Sequence, residues 1–148
     1  MEKTISKDFS TLKGRTLTSV EVDEEKTFIK FTTDNNLVFN MYHDQDCCEV
    51  VKIEDIAGDW ADIIGLPILV AELVVSPHEK ETVSNEIEDD DHYTWSYYKL
   101  ATVKGWVVVR WYGSSNGYYS EEVSFGVLYD DQDDYGDYDG LFTFKPID

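Results

Sequence analysis

The stretch His92–Tyr112, HYTWSYYKLATVKGWVVVRWY, decides the fold. Aromatic and β-branched residues dominate both of its halves, as suits a pleated, half-buried surface. His92–Ala101 and Trp106–Tyr112 therefore read as strands. A third, Tyr118–Leu128, follows Asn116-Gly117, whose tolerance of positive φ predicts a tight hairpin turn at that point.

Working toward the N-terminus, the same reading gives strands at Thr16–Val22, Thr27–Thr32 and Leu37–His43. They are separated by Glu24-Glu25 and by the turn-forming Asp34-Asn35-Asn36, so the three make a meander after an irregular or helical start. Cys48–Ile53 and the mostly apolar Ile68–Val75 are further strands. Between them, Trp60, Ile63 and Ile64 have helical spacing before Gly65-Leu66-Pro67, which predicts one or two turns of helix. Residues 76–91 are polar and predict a mobile loop and candidate hinge, and Leu141–Phe144 a short closing strand. The fold class is mainly β: antiparallel sheets, a hairpin-rich C-terminal half and one short helix, in a single acidic domain spanning 1–148.

Composition fits that reading. With 148 residues, 42% apolar and 14% aromatic, the chain can bury a core without a metal or a disulfide. Its formal net charge is −19 and unevenly placed. Residues 1–40 hold 7 acidic and 6 basic side chains, whereas residues 41–148 hold 24 acidic and 6 basic. Such a field repels nucleic acids and anionic membranes and draws in basic partners, although it also serves solubility. Adjacent Cys47 and Cys48 on an extended strand would point to opposite faces, so both are expected to be reduced, in a cytosolic setting. No apolar segment follows Met1 and no run of 18 apolar residues occurs, which argues against secretion and membrane spanning.

Metal and catalytic patterns are weak. Counted from Asp131, the fifth position of a calcium loop falls on Tyr135 and the twelfth, which needs a bidentate Glu, on Phe142. His43, Asp44, Asp46, Cys47 and Glu49 lack a second ligand pair, and His78 and His92 are isolated, so no metal, no cofactor and no catalytic residue is expected. Phosphate-binding glycine loops are absent. The chain therefore reads as a binding protein, not an enzyme.

Two surfaces are candidates. The acidic runs supply Glu86, Glu88, Asp89, Asp90 and Asp91, then Asp130, Asp131, Asp133, Asp134, Asp137 and Asp139. Tyr135 and Tyr138 are interleaved as contact residues of the kind interfaces favour. The alternative is a ligand site of Arg110, Trp111, Ser114 and Asn116, where an arginine, a flat ring and small polar groups could hold a nucleotide at a homo-oligomer interface. Against it, the aromatics could simply alternate between core and surface, with Arg110 paired to a carboxylate.

Three stretches, Met41–Glu49 (MYHDQDCCE), Asp55–Asp59 (DIAGD) with Gly65–Ile68 (GLPI), and Arg110–Ser120 (RWYGSSNGYYS), resemble a family of small proteins encoded by phages and prophages. Tyr97, where the pattern has Phe, and the acidic C-terminal run depart from it. The resemblance implies action in the cytoplasm of a bacterial host and supplies no catalytic residues. Joined to the charge, it implies an anti-defence protein. Such a protein would block a basic nucleic-acid-binding surface of a nuclease complex, a CRISPR effector such as Cas9, by mimicking nucleic acid. Capture of a nucleotide immune signal and a minor virion role are the alternatives.

Overall fold

The computed structural model describes residues 2–79 and 92–130. Nine strands occupy them: β1 (Glu2–Ser6), β2 (Leu17–Val22), β3 (Phe28–Thr33), β4 (Val38–Tyr42), β5 (Val50–Gly58), β6 (Val70–Glu79), β7 (His92–Ala101), β8 (Trp106–Ser115) and β9 (Ser124–Asp130). All pairs are antiparallel. They form a five-stranded sheet in the order β1-β9-β4-β3-β2 and a four-stranded sheet in the order β5-β8-β7-β6. Among the described residues there is no α-helix, only 3-10 turns at Phe9–Leu12 and Trp60–Asp62. The mainly β expectation holds.

The alternation in the sequence sets which face is inside. Ile29, Phe31, Phe39, Met41 and Phe125 from the larger sheet share one core cluster with Val51, Ile53, Tyr98, Leu100, Val107, Val109 and Trp111 from the smaller. The 3-10 turn Phe9–Leu12 contributes Phe9 and Leu12, and the Phe9 ring meets Tyr98 and Phe125 edge-on, at 4.9 and 5.3 Å. Across the core, the Trp111 indole N–H points at the Met41 sulfur, 3.2 Å away.

The meander β2-β3-β4 is as expected, and β7-β8 is a hairpin closed by Thr102–Gly105. Four local expectations need correction. The irregular start contains β1, an edge strand added to β9. Glu54–Gly58, beyond the end expected for the strand Cys48–Ile53, is the second half of β5, because Asp55–Gly58 pair with Val107–Arg110 across a bulge at Ile53/Asp55. Gly58 permits this close pairing: its φ is +102°, and a Cβ there would lie 2.2 Å from the Trp106 carbonyl oxygen. The helical spacing of Trp60, Ile63 and Ile64 becomes a single turn, capped by Asp59 accepting from the Ala61 N–H. Strand β6 runs on to Glu79, into the segment read as loop; residues 80–91 and Leu141–Phe144 lie outside the described residues.

The Asn116-Gly117 hairpin is not formed. Strand β8 lies between β5 and β7, whereas β9 lies between β1 and β4, so the chain crosses from one sheet to the other there. Gly117 does take positive φ, +94°, and Asn116 Oδ1 accepts from the Tyr118 N–H at 2.9 Å. The turn chemistry was legible, but its use in a crossover was set by distant partners.

The two faces of β8 predict different costs. Trp111→Ala, at a side chain 1% exposed, should lower the unfolding free energy by about 3–5 kcal/mol. Trp106→Ala, at a residue 49% exposed, should cost less than about 1 kcal/mol. Urea denaturation of the two variants compares them, and equal losses would contradict this assignment of faces.

Candidate functional site

The proposed contact residues Glu86, Glu88, Asp89, Asp90, Asp91, Asp131, Asp133, Asp134, Tyr135, Asp137, Tyr138 and Asp139 lie outside the described residues, and Asp130 is the last position of β9. Glu79 and His92 are direct partners in the β6-β7 pair, so the first acidic segment leaves and re-enters the fold at one end of the smaller sheet.

The four alternative residues do not converge. Trp111 turns into the core while Arg110, its neighbour on an extended strand, faces outward. Ser114 is buried, and Asn116 caps the turn after β8. Arg110 instead lies over the ring of Trp95, its guanidinium carbon 4.9 Å from the centroid. Its Nε is buried without a hydrogen-bond partner. Asp55 stands opposite it in the register, yet no ion pair forms between them among the described residues. Trp95 meets Tyr112 at 4.8 Å, and Tyr112 meets Tyr93 at 6.2 Å. The result is an aromatic platform centred on Arg110 on the outer face of the smaller sheet. Period-two alternation could have predicted Trp95 and Tyr93 as its members and excluded Trp111.

A second constellation was missed. At the end of the molecule where the chain crosses between sheets, two buried carboxylates each gather the loop around them. Glu49 accepts from the backbone N–H groups of Asp46 and Cys47, at 2.8 and 2.9 Å, and faces His43 Nε2 at 2.6 Å. The other nitrogen of His43 lies 2.7 Å from the carbonyl oxygen of Glu122, which ties the β4-β5 crossover to the β8-β9 crossover. Glu121 accepts from the Thr94 and Ser115 hydroxyls, at 2.6 and 2.5 Å, and contacts His92 Nδ1 at 2.9 Å. His92 is therefore not isolated. Ser115 Oγ in turn accepts from the Gly117 N–H, fixing the turn that the crossover needs. In so acidic a chain nothing local distinguishes Glu49 and Glu121 from their solvated neighbours.

Cys47 and Cys48 are joined by a disulfide, contrary to the expectation of two reduced thiols. That expectation assumed an extended strand, whereas residues 43–49 are a non-strand loop closed on Glu49, in which adjacent side chains can meet. Among the described residues no group of three metal-capable side chains gathers.

Beside Glu121 a cavity of about 380 Å³ opens between the inner faces of β6 and β7 and the crossover. Its wall includes Leu73, Val75, His92, Ser96, Tyr98 and Glu122. Burial, with the Glu122 charge adding to it, pushes the Tyr98 phenol above its ordinary value.

The chain belongs to the DUF7448 family, a domain of unknown function, which matches residues 10–125. That range takes in both crossovers and the first acidic run, and excludes the second. No curated protein and no solved structure matches the chain.

The Glu49 carboxyl is held down from 4.5 to about 2, first by the Cys47 N–H, then by His43, with burial opposing. A carboxyl depressed by folding adds stability above its ordinary pKa and loses it as pH falls through the folded value. Urea midpoints should therefore drop between about pH 4.5 and 2, and drop less in Glu49→Gln. Parallel pH profiles for the two proteins would remove Glu49 from this role.

Proposed function

We propose that this chain is a phage-derived, non-enzymatic inhibitor that acts in the cytoplasm of a bacterial host. It would occupy a basic nucleic-acid-binding surface of a nuclease complex, such as a CRISPR effector, without itself binding nucleic acid or membrane. The observation that carries the reading is the charge asymmetry: 24 acidic against 6 basic side chains in residues 41–148. Fixed anions on a scaffold of two sheets attract cationic surfaces and repel competing polyanions. The phage origin rests on the three stretches that resemble phage-encoded proteins. Two of them, Met41–Glu49 and Arg110–Ser120, touch in the core, where the Trp111 indole N–H points at the Met41 sulfur.

Two features support binding rather than turnover. The buried carboxylates Glu49 and Glu121 are engaged in holding loops, by backbone N–H, hydroxyl and imidazole groups. The outer face presents Tyr93, Trp95, Tyr112 and Arg110, residue types in which protein interfaces are enriched. The aromatic platform would supply contact area while the acidic runs steer encounter.

Capture of a nucleotide signal is the second reading, favoured by the Arg110 guanidinium over Trp95 with no carboxylate paired to it among the described residues. Trp95 takes the stacking role first given to Trp111. Calorimetry with cyclic and linear nucleotides tests it. Heat that disappears in Arg110→Ala would favour it, and no heat with any of them would reject it.

For the leading reading, surface-immobilised chain should capture a guide-loaded Cas9-type effector. Its affinity should fall by about tenfold or more between 50 and 500 mM salt, a range that takes the screening length from longer than an interface contact to shorter. Replacing Glu86, Glu88, Asp89, Asp90 and Asp91 by their amides should slow association while leaving dissociation nearly unchanged. Capture indifferent to both changes would reject the electrostatic mechanism.

A further inference from the structure

The cavity beside Glu121 has a polarity fixed by the hydrogen bonds around it. Glu121 is a carboxylate acceptor for two hydroxyls, and Ser115, which donates to it, receives the Gly117 N–H. His92 must therefore present Nδ1–H to Glu121, and in the neutral ring Nε2 is left as a lone-pair acceptor. His92 lines the cavity and is part exposed. Ser96, buried on the same face of β7, adds a hydroxyl to the wall. Glu122, exposed at the rim, adds a negative charge. Among the described residues no lysine or arginine lines this space. Beside Ser96 and Tyr98 on the same inner face stand their cross-strand partners Val75 and Leu73 of β6, apolar side chains left 49% and 44% exposed because nothing among the described residues covers them.

A space with acceptors, a negative rim and adjoining uncovered aliphatic surface suits an amphipathic cation. The geometry points to a binding site for a primary ammonium on an aliphatic stem. The ammonium donates to His92 Nε2 and is held by the Glu122 charge, and the stem lies along Leu73 and Val75. At about 380 Å³ the cavity stands at the lower end of the range for ligand pockets and suits a side-chain-sized group. A free alkylamine and a lysine side chain carry the same chemistry. The lysine of a basic partner deepens the function proposed above, and rests on that reading only for the source of the ammonium.

The test uses the full chain and two neutral-capped probes, N-acetyl-lysine methylamide and N-acetyl-norleucine methylamide, with n-butylamine as the free amine. In ¹⁵N-correlated NMR titrations the lysine probe should saturably shift His92, Ser96 and Glu122 signals, with the imidazole Nε2 resonance moving as its lone pair is engaged. The norleucine probe should bind at least about tenfold more weakly, since it lacks the charge-assisted hydrogen bond. Leu73→Trp, at a part-exposed position that tolerates size, should abolish the shifts, and Glu122→Gln should weaken them about threefold, as expected for an exposed charge. Butylamine binding as well as the lysine probe assigns the site to free amines. Preference for the lysine probe assigns it to a protein side chain. Equal affinity for norleucine, shifts surviving in Leu73→Trp, or no saturation at millimolar probe would overturn the site. Effector capture without lysine binding overturns this inference alone, and lysine binding without effector capture overturns only the inhibitor reading.

Discussion

The contact on which the architecture depends is His43 between Glu49 and the Glu122 carbonyl. Two antiparallel sheets that share one core can slide or splay unless their connections are pinned. Here the chain crosses between sheets twice at the same end, after β4 and after β8. A crossover exposes backbone N–H groups that neither sheet can satisfy, and a buried carboxylate with several acceptor positions satisfies them compactly. Glu49 does so for the first crossover. Glu121 does so for the second by pulling Ser115, whose oxygen then takes the Gly117 N–H. His43 makes the two loops one unit, so strain in either is transmitted to both.

The same arrangement frees the rest of the smaller sheet. With both crossovers pinned at one end, the outer face of β5-β8-β7-β6 needs no packing partner to stay in register. The direct pairs Tyr97 with Arg110 and Trp95 with Tyr112 hold it laterally. Strand β6 is the edge on one side. Its Leu73, Val74 and Val75 stay substantially exposed on both faces, whereas β8 at the centre is buried on its inner one. The core and crossovers thus set the shape, while the platform lies on the outer face and Leu73 and Val75 stay exposed on the inner one.

Strand positions were legible because they obey local periodicity. Burial alternates cleanly in Phe28–Thr33, whereas in His92–Ala101 Ser96 turns inward and Trp95 outward, against their polarity. What failed was non-local. Glu54–Gly58 has no strong strand signal of its own and is drawn into β5 by Val107–Arg110. Asn116-Gly117 has the right chemistry for a hairpin turn, yet β9 finds β1 and β4 instead of β8. Arg110 stands out beside Trp111, but its ring partner lies across the strand pair at Trp95, which sequence adjacency cannot convey. Glu49 reads, with His43, only as a metal ligand, and Glu121 is hidden by abundance among 31 acidic residues.

That concealment bears on the charge. Burying a carboxylate is costly unless donors replace its water, and both buried carboxylates meet the requirement with hydroxyl, imidazole and backbone N–H groups rather than with lysine or arginine. Arg110, the only arginine after residue 40, stands over an aromatic ring on the outer face, and Arg15 stands over the ring of Phe39. Pairing within the chain leaves the formal net charge of −19 unchanged, so that charge is balanced from outside the chain, by mobile counterions in solution. Under the function proposed above, release of those counterions by a fixed cationic surface would add an entropic gain.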